Sequence, residues 1–251
     1  MKRILIYFLM LLPLAGHAAN DNGRLWTEAN DAYSMGQYEG ALDSYRQIED
    51  SGYQSYKLFY NMGNAYYKLG ENGKAILYYE KALKLDPSGT DAINNLQIAK
   101  LQTLDKIEVL PELIIATWIK DVRNLMSSDS WAYLAVGFLV LMMFLLLMFK
   151  FAPTSGKRKF SFVLACVTLL LAIFSILFAA SLKANADSED TAIVMVPVSN
   201  IKSAPNSTGN NLFILHEGSK VEILEEAGQW CRIEISDGRQ GWMQKGDIEV
   251  I

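Results

Sequence analysis

The stretch "MGNAYYKLGENGKAILYY", residues 62–79, repeats the earlier stretch "EANDAYSMGQYEGALDSY", residues 28–45. The two align without a gap at an offset of 34 residues, because small residues, a glycine and a tyrosine recur at matching places. The matched pairs are Ala29 and Gly63, Gly36 and Gly70, Ala41 and Ala75, and Tyr45 and Tyr79. A repeat of this period predicts a stack of helix-turn-helix units.

Each residue type in the alignment has a physical reason. The small residues let two antiparallel helices approach closely. Gly36 and Gly70 stand where the first helix of each unit ends and a left-handed cap is needed. Tyr45 and Tyr79 fill the space between units, and Pro87 stops the second helix of the later unit.

A helix-turn-helix repeat of this length resembles the tetratricopeptide family. The later repeat, residues 56–89, matches well, whereas the earlier one, residues 22–55, lacks the terminal proline. The stretch "TDAINNLQIAKLQTLDKI", residues 90–107, predicts a further helix that caps the open end of the stack. The predicted all-α array therefore covers residues 22–105.

The resemblance implies a concave groove, lined by the first helix of each repeat, that binds a peptide or protein segment. The residues carried over to this groove are Asn30, Tyr33, Lys57, Asn64, Tyr67 and Lys68. Asparagine amides can bind a peptide backbone, and lysine can meet a carboxylate. The alternative is that the tyrosines are packing residues and the lysines a solvated face. Tetratricopeptide proteins that clamp a C-terminal carboxylate have two cations where this chain has Asp91 and Asn95, so such a clamp is not expected.

Residues 1–18 predict a secretory signal peptide, with Lys2 and Arg3 before an apolar core and Gly16 and Ala18 before a cleavage point. An uncleaved anchor is the alternative. In both cases we expect the repeat array to be exported.

Two further runs, residues 130–149 and 160–182, contain no charged residue. Each is long enough to cross the roughly 30 Å of hydrocarbon in a bilayer as a helix. The loop between them, residues 150–159, holds four cations and no anion, which predicts that it is cytoplasmic. The sequence therefore predicts a two-helix hairpin in the bacterial inner membrane, with both flanking domains extracytoplasmic.

Before the hairpin, residues 111–127 place apolar side chains at helical spacing with polar ones opposite. This pattern predicts an amphipathic helix in contact with membrane lipid. A helix packed on the repeat array is the alternative.

After the hairpin, residues 191–251 alternate with period two between turn signals, which predicts a small all-β barrel of five or six strands. The segments "NIKSAP" (200–205) and "LHEGSKVEILEEAGQWCRIEISDGRQGWM" (215–243) resemble the bacterial SH3-like domain, many relatives of which bind cell-wall peptides or proteins. We expect Trp242 to pack the barrel. Trp230 is a candidate ligand surface or, alternatively, a core or rim residue.

The sequence contains no recognisable catalytic or metal-binding motif, so we expect no enzyme activity and no cofactor. Of its two histidines, His17 lies in the predicted signal peptide and His216 is expected in a solvated loop. The net charge of −4, without a clustered basic face, argues against nucleic acid.

The order of parts resembles the BatE family of bacterial aerotolerance operons. That resemblance implies an envelope complex with membrane proteins that carry von Willebrand A domains, functionally linked to a MoxR-type ATPase. The sequence thus favours a non-catalytic membrane scaffold. The alternative is a cell-wall tether or sensor that binds peptidoglycan through the SH3-like barrel.

Overall fold

The computed structural model of the chain describes residues 18–108, 110 and 113–251. The predicted signal peptide lies outside the described residues except for Ala18. Within them are eight α-helices and seven β-strands. The helices are α1 (Ala18–Ser34), α2 (Tyr38–Asp50), α3 (Tyr56–Leu69), α4 (Asn72–Leu85), α5 (Thr90–Leu101), α6 (Ile114–Arg123), α7 (Ser128–Phe151) and α8 (Ser155–Ala186). The strands are β1 (Thr191–Val194), β2 (Val198–Lys202), β3 (Asn211–His216), β4 (Lys220–Ala227), β5 (Trp230–Glu234), β6 (Gln240–Gln244) and β7 (Ile248–Val250).

The first five helices form the predicted repeat array. Helices α1 and α2 make one unit, α3 and α4 the next, and α5 packs against α4 at the end of the stack. Gly36 and Gly70 adopt left-handed φ angles of 78° and 81°, which confirms their predicted role as caps. Tyr45 and Tyr79 are each 1% exposed, as expected for residues that fill the space between helices.

The capping helix is shorter than predicted. Helix α5 ends at Leu101, and the chain then runs across to the C-terminal barrel in irregular structure. Ile107 packs against the barrel core, and the backbone N–H of Leu110 donates to the carbonyl of Ser236 at 3.0 Å. Of the described residues after α5, Ile107 and Leu110 therefore contact the barrel instead of extending the array.

Helices α7 and α8 form an antiparallel hairpin whose helices are longer than predicted. The turn between them shrinks to residues 152–154, and the cations Lys157, Arg158 and Lys159 lie in the first turns of α8. Both helices are long and apolar enough to cross a membrane. Most of the residues that the hairpin buries are small, while most of its other apolar side chains are exposed. The buried residues are Trp131, Ala135 and Leu145 of α7 and Ser161, Ala165, Thr168, Ala172, Ser175 and Leu182 of α8.

Helix α6 does not pack on the repeat array, contrary to the alternative stated above. None of its ten residues is buried. Its end is tied to the hairpin, because the indole N–H of Trp131 donates to the carbonyl of Arg123 at 2.8 Å.

The C-terminal residues form an antiparallel sheet in the order β3-β2-β6-β5-β4-β1-β7. Alternate residues of each strand face a core that includes Ile201, Cys231 and Met243. Trp242 was expected in this core, but it alternates with the buried Gly241 and Met243 and is half-buried on the outer face. The barrel is therefore filled by aliphatic and sulfur side chains.

Candidate protein-binding groove

The first helices of the repeats line a concave cavity of about 260 Å³. Helices α1, α3 and α5 supply all of its lining residues except one tyrosine from α4. The lining residues are Tyr33, Tyr60, Asn64, Tyr67, Lys68, Tyr79, Asn95 and Ile98. We refer to this cavity as the groove.

A hydrogen-bond ladder runs along the groove with the period of the sequence repeat. In the first unit, the Oδ1 atom of Asn30 accepts from the Tyr45 hydroxyl at 2.8 Å and from Asn61 Nδ2 at 3.2 Å. The three residues are half-buried or buried, so these bonds are shielded from competing water.

The second unit repeats the arrangement 34 residues later. The Oδ1 atom of Asn64 accepts from the Tyr79 hydroxyl at 2.7 Å and from Asn95 Nδ2 at 2.8 Å. Asn95 also donates to the Tyr60 hydroxyl at 3.4 Å. In each unit, one asparagine oxygen thus links three successive helices of the array.

The ladder fixes which way the asparagine amides face. Since the carbonyl oxygens of Asn30 and Asn64 each receive two donors, their NH2 groups are the part left to meet a ligand. Burial raises the pKa of Tyr45 to about 12, and it also raises that of Tyr79 well above its usual value. Both hydroxyls therefore stay protonated and keep donating at neutral pH.

The structure brings most of the predicted groove residues together. Tyr33, Asn64, Tyr67 and Lys68 line the groove, and Asn30 belongs to the adjoining rung of the ladder. The Asn64 side chain, however, is half-buried and serves the fold as well as the surface.

Lys57 lies elsewhere. It lines a second cavity, of about 820 Å³, where the beginnings of α1 and α3 meet the ends of α2 and α4. Trp26 and Tyr53 give that cavity an aromatic wall. Lys57 and Lys68 are thus exposed lysines of one helix that face different sites.

Some groove residues escaped the sequence analysis. Tyr60, Asn95 and Ile98 line the groove, and Asn95 also supplies a rung of the ladder. A usable signal was present, because Asn61 and Asn95 are again 34 residues apart. Both asparagines lie outside the aligned stretches 28–45 and 62–79.

The lining of the groove contains a cation and no carboxylate. Amide N–H groups, tyrosine hydroxyls and the Lys68 ammonium suit hydrogen-bond acceptors such as peptide carbonyls and carboxylates. The partly exposed rings of Tyr33, Tyr60 and Tyr67 add flat apolar surface for side chains. The groove can bind an extended segment through its backbone and its acidic or apolar side chains.

The barrel packs on a different side of the array. It contacts α4, the second helix of the later repeat, and Ile193 joins the buried core of the array. At this contact Glu80 is 8% exposed and receives Lys100 Nζ at 2.7 Å and Lys220 Nζ at 2.8 Å. Burial alone would raise the pKa of the Glu80 carboxyl, but the two ammonium groups outweigh it and lower the pKa.

A second polar cluster joins the same surfaces. Asp105 accepts from the backbone N–H of His216 at 2.7 Å and from the Ser219 hydroxyl at 2.5 Å, and it lies 2.8 Å from His216 Nδ1. His216 is therefore held in an ion-pair geometry, not in the solvated loop that was expected. Burial opposes ionisation of Asp105, yet these hydrogen bonds lower its pKa below the usual value.

Close backbone contacts complete the junction. The amide of Gly73 donates to Glu217 Oε1 at 3.0 Å, and Lys84 Nζ donates to the carbonyls of Ser188 and Ile251 at 2.6 and 2.8 Å. None of the described residues in these contacts lines the groove. The docked barrel consequently leaves the groove open.

Trp230 lies on the outer face of the barrel. It alternates with the buried Cys231 along β5 and is half-buried. Its neighbours on the same face include Arg232 and, across the strand pair, Trp242. The strand register thus places two half-buried tryptophans and a cation on the same face of the sheet, which we call the outer tryptophan face.

Comparison with known proteins agrees with both folds. Residues 56–88 match the tetratricopeptide repeat model, and residues 197–249 match the bacterial SH3 domain model. These matches confirm the predicted pairing of a repeat array with an SH3-like domain.

Two curated relatives are both called "Photosystem I assembly protein Ycf3". The protein from Cyanophora paradoxa is 26% identical over 122 residues, which cover 42% of this chain and 70% of the relative. The protein from Rippkaea orientalis (strain PCC 8801 / RF-1) is 31% identical over 94 residues, covering 36% of this chain and 53% of the relative. These partial matches describe similarity to part of the chain.

Proposed function

We propose that the chain is a membrane-anchored, non-catalytic scaffold that holds partner proteins in the groove. One observation carries the proposal. The groove presents donor groups whose orientation is fixed by the Tyr–Asn ladder, while the barrel occupies a different side of the array. A protein-binding surface is thereby kept both rigid and accessible.

The hairpin supports membrane anchoring. Large apolar side chains on its outer faces are exposed, which suits lipid and would be unfavourable in water. Examples are Val140 (58% exposed), Phe144 (58%), Leu170 (56%) and Phe174 (55%). The location we propose is the bacterial inner membrane.

The contact between the array and the barrel supports the proposed sidedness. Because the two folds touch, they must lie on the same side of the membrane, as two spanning helices require. The opposite end of the hairpin holds the cations Lys150, Lys157, Arg158 and Lys159. Short segments rich in lysine and arginine face the cytoplasm in membrane proteins. Both folds would therefore be extracytoplasmic.

The partners that we propose are membrane proteins with von Willebrand A domains, linked in function to a MoxR-type ATPase. The resemblance to the BatE family of aerotolerance operons supports this choice. The curated relatives are named for their part in assembling photosystem I, which fits a scaffold role in general terms.

A photo-crosslinking experiment tests the proposal. A photoreactive amino acid replaces Lys68 in the groove or, as the control, Lys57 on the same helix but at the second cavity. In native membranes we expect Lys68 to crosslink a von Willebrand A protein and Lys57 to give no such product. Equal crosslinking from both positions would contradict the assignment of the groove.

The outer tryptophan face favours a second candidate function, a cell-wall tether or sensor. The match to bacterial SH3 domains and the two neighbouring tryptophans support binding of peptidoglycan there. The full chain in mild detergent would then sediment with purified peptidoglycan, and Trp230→Ala would release it. Sedimentation that is unchanged in Trp230→Ala would exclude this surface.

A further inference from the structure

We propose that α6 lies in the headgroup region of the bilayer, with its apolar face inserted among the lipid chains. The partner of this face is the lipid surface itself. The inference rests on the proposed function, since it takes α7 and α8 as membrane-spanning helices. It adds a second membrane attachment, which constrains the orientation of the repeat array relative to the bilayer.

The first observation is the shape of the apolar surface of α6. At about 100° per residue, its five large apolar side chains fall within an arc of about 140°. They are Ile114, Ile115, Trp118, Ile119 and Val122, which are between 46% and 74% exposed. No described part of the chain covers this face.

The opposite face is polar. Thr117, Lys120, Asp121 and Arg123 fall outside the apolar arc. A helix with one charged face and one apolar face that includes tryptophan is typical of segments that lie flat at a membrane interface.

The second observation fixes the position of α6 relative to the hairpin. The Arg123 carbonyl accepts from the Trp131 indole at 2.8 Å, and the Arg123 guanidinium donates to the Ser181 hydroxyl at 3.3 Å. Trp131 is near the start of α7, and Ser181 is near the end of α8. Only residues 124–127 separate α6 from α7.

These contacts hold α6 at the end of the hairpin where the spans leave the hydrocarbon. Exposed apolar residues follow one another along the chain from α6 through Leu125 and Met126 to Tyr133 and Val136 of α7. This continuity favours lipid over a second copy of the chain or a soluble partner as the covering surface.

Spin labelling of the full chain in lipid nanodiscs tests the inference. Cys166 is replaced by alanine, and the buried Cys231 is left in place because burial raises the pKa of its thiol to about 11. Single cysteines for nitroxide labels are then introduced on the two faces of α6 and at two reference positions. The variants are Ile115→Cys and Ile119→Cys, Thr117→Cys and Asp121→Cys, Val140→Cys on α7, and Ser207→Cys on the barrel.

We expect labels at 115 and 119 to be relaxed more by oxygen, which partitions into lipid, than by a water-soluble nickel chelate. Labels at 117 and 121 should show the reverse ratio. Val140 supplies the lipid reference and Ser207 the aqueous reference. Ratios that alternate between the lipid value and the aqueous value with the helical period would support the proposal.

Other outcomes separate the possible errors. Aqueous ratios on both faces of α6, with a lipid ratio at 140, would overturn the inference and leave membrane anchoring intact. An aqueous ratio at 140 would contradict membrane anchoring itself. Dipolar broadening between labels at 115 on different molecules would assign the face to a second copy of the chain and also overturn the inference.

Discussion

Asn64 combines a structural role with a place in the groove. Its carbonyl oxygen accepts from Tyr79 and Asn95, and the residue also lines the groove. The sequence predicts its place in the groove but not its structural role, because the residues that hold it lie 15 and 31 positions away. A test of binding must therefore leave the ladder intact.

Replacing Asn64 should destabilise the array. In Asn64→Ala, the buried Tyr79 hydroxyl and the Asn95 amide lose their acceptor, at a cost of about 1–3 kcal/mol in the free energy of unfolding. The exposed Lys68→Ala should change this free energy by less than about 0.5 kcal/mol. Urea unfolding in detergent, followed by circular dichroism, measures both. Equal stability of the two variants would contradict the structural role of the ladder.

His216 shows why some site chemistry could not be predicted from the sequence. Its partner, Asp105, is 111 residues away, beyond both helices of the hairpin. The sequence around His216 predicts a turn, but it does not predict which surface packs against that turn.

At the scale of elements, the two helices of the later repeat approach each other closely at Gly63. A Cβ atom at this position would lie 2.6 Å from the Tyr79 ring. Ala29 is the equivalent residue of the first repeat, and it is fully buried. The two repeats therefore share a packing scheme but differ in how tightly they close.

Two glycine substitutions should have opposite effects. Gly63→Ala should lower the free energy of unfolding by about 1–3 kcal/mol, since the tyrosine must move. Gly40→Ala, in helix α2 with nothing within 4 Å of the added methyl group, should raise it by about 0.5–1 kcal/mol. Thermal unfolding of the paired variants compares them directly. A gain in stability from Gly63→Ala would contradict the close approach.

Elements with strong periodicity were predictable. The repeat helices, the hairpin and the alternating strands follow from patterns that report burial on one face. The end of α5 and the outward position of Trp242 did not follow, because they depend on which fold lies opposite. The pattern of polar and apolar residues in α5 continues through residues 102–108. These residues nevertheless adopt irregular structure, and Ile107 among them packs against the barrel.

At the scale of the whole molecule, the array and the barrel are joined through two ionised carboxylates. The pKa values of Glu80 and Asp105 are lowered from usual values of 4.5 and 3.8. Each group therefore binds a proton more readily when the folds separate. Its contribution to docking is complete above the usual pKa and is lost as the pH falls through the lower, docked value.

Acid should loosen the junction. Spin labels at Asp43 on α2 and Ser207 on the barrel, in a Cys166→Ala background, should give a narrow distance distribution at neutral pH that broadens below about pH 4. In Glu80→Gln with Asp105→Asn, the distribution should be broader already at neutral pH and depend less on pH. A wild-type distribution that stays unchanged down to about pH 3 would contradict the role of these carboxylates.

Chemical labelling tests the direction of the hairpin. A cysteine at Ser155, at the start of α8, should react with an impermeant thiol reagent only after the inner membrane is opened. A cysteine at the exposed Ser207 of the barrel should react in cells whose outer membrane alone is permeable. Native Cys231 cannot serve as the probe, because it is 0% exposed. Labelling at Ser155 in sealed cells would reverse the proposed topology.

The junction around Glu80 also has a consequence for biogenesis. Its two sides are separated by 140 residues of chain that include the complete hairpin. Under the proposed topology, the array would be synthesised and exported first, and its docking surface would stay uncovered until the second helix has been inserted and the barrel has folded on the same side. Under the proposed topology, a chain that inserts only one of its two helices strands the barrel in the cytoplasm. Such a chain exposes α4 to periplasmic proteases, so formation of this junction reports that the hairpin has been inserted correctly.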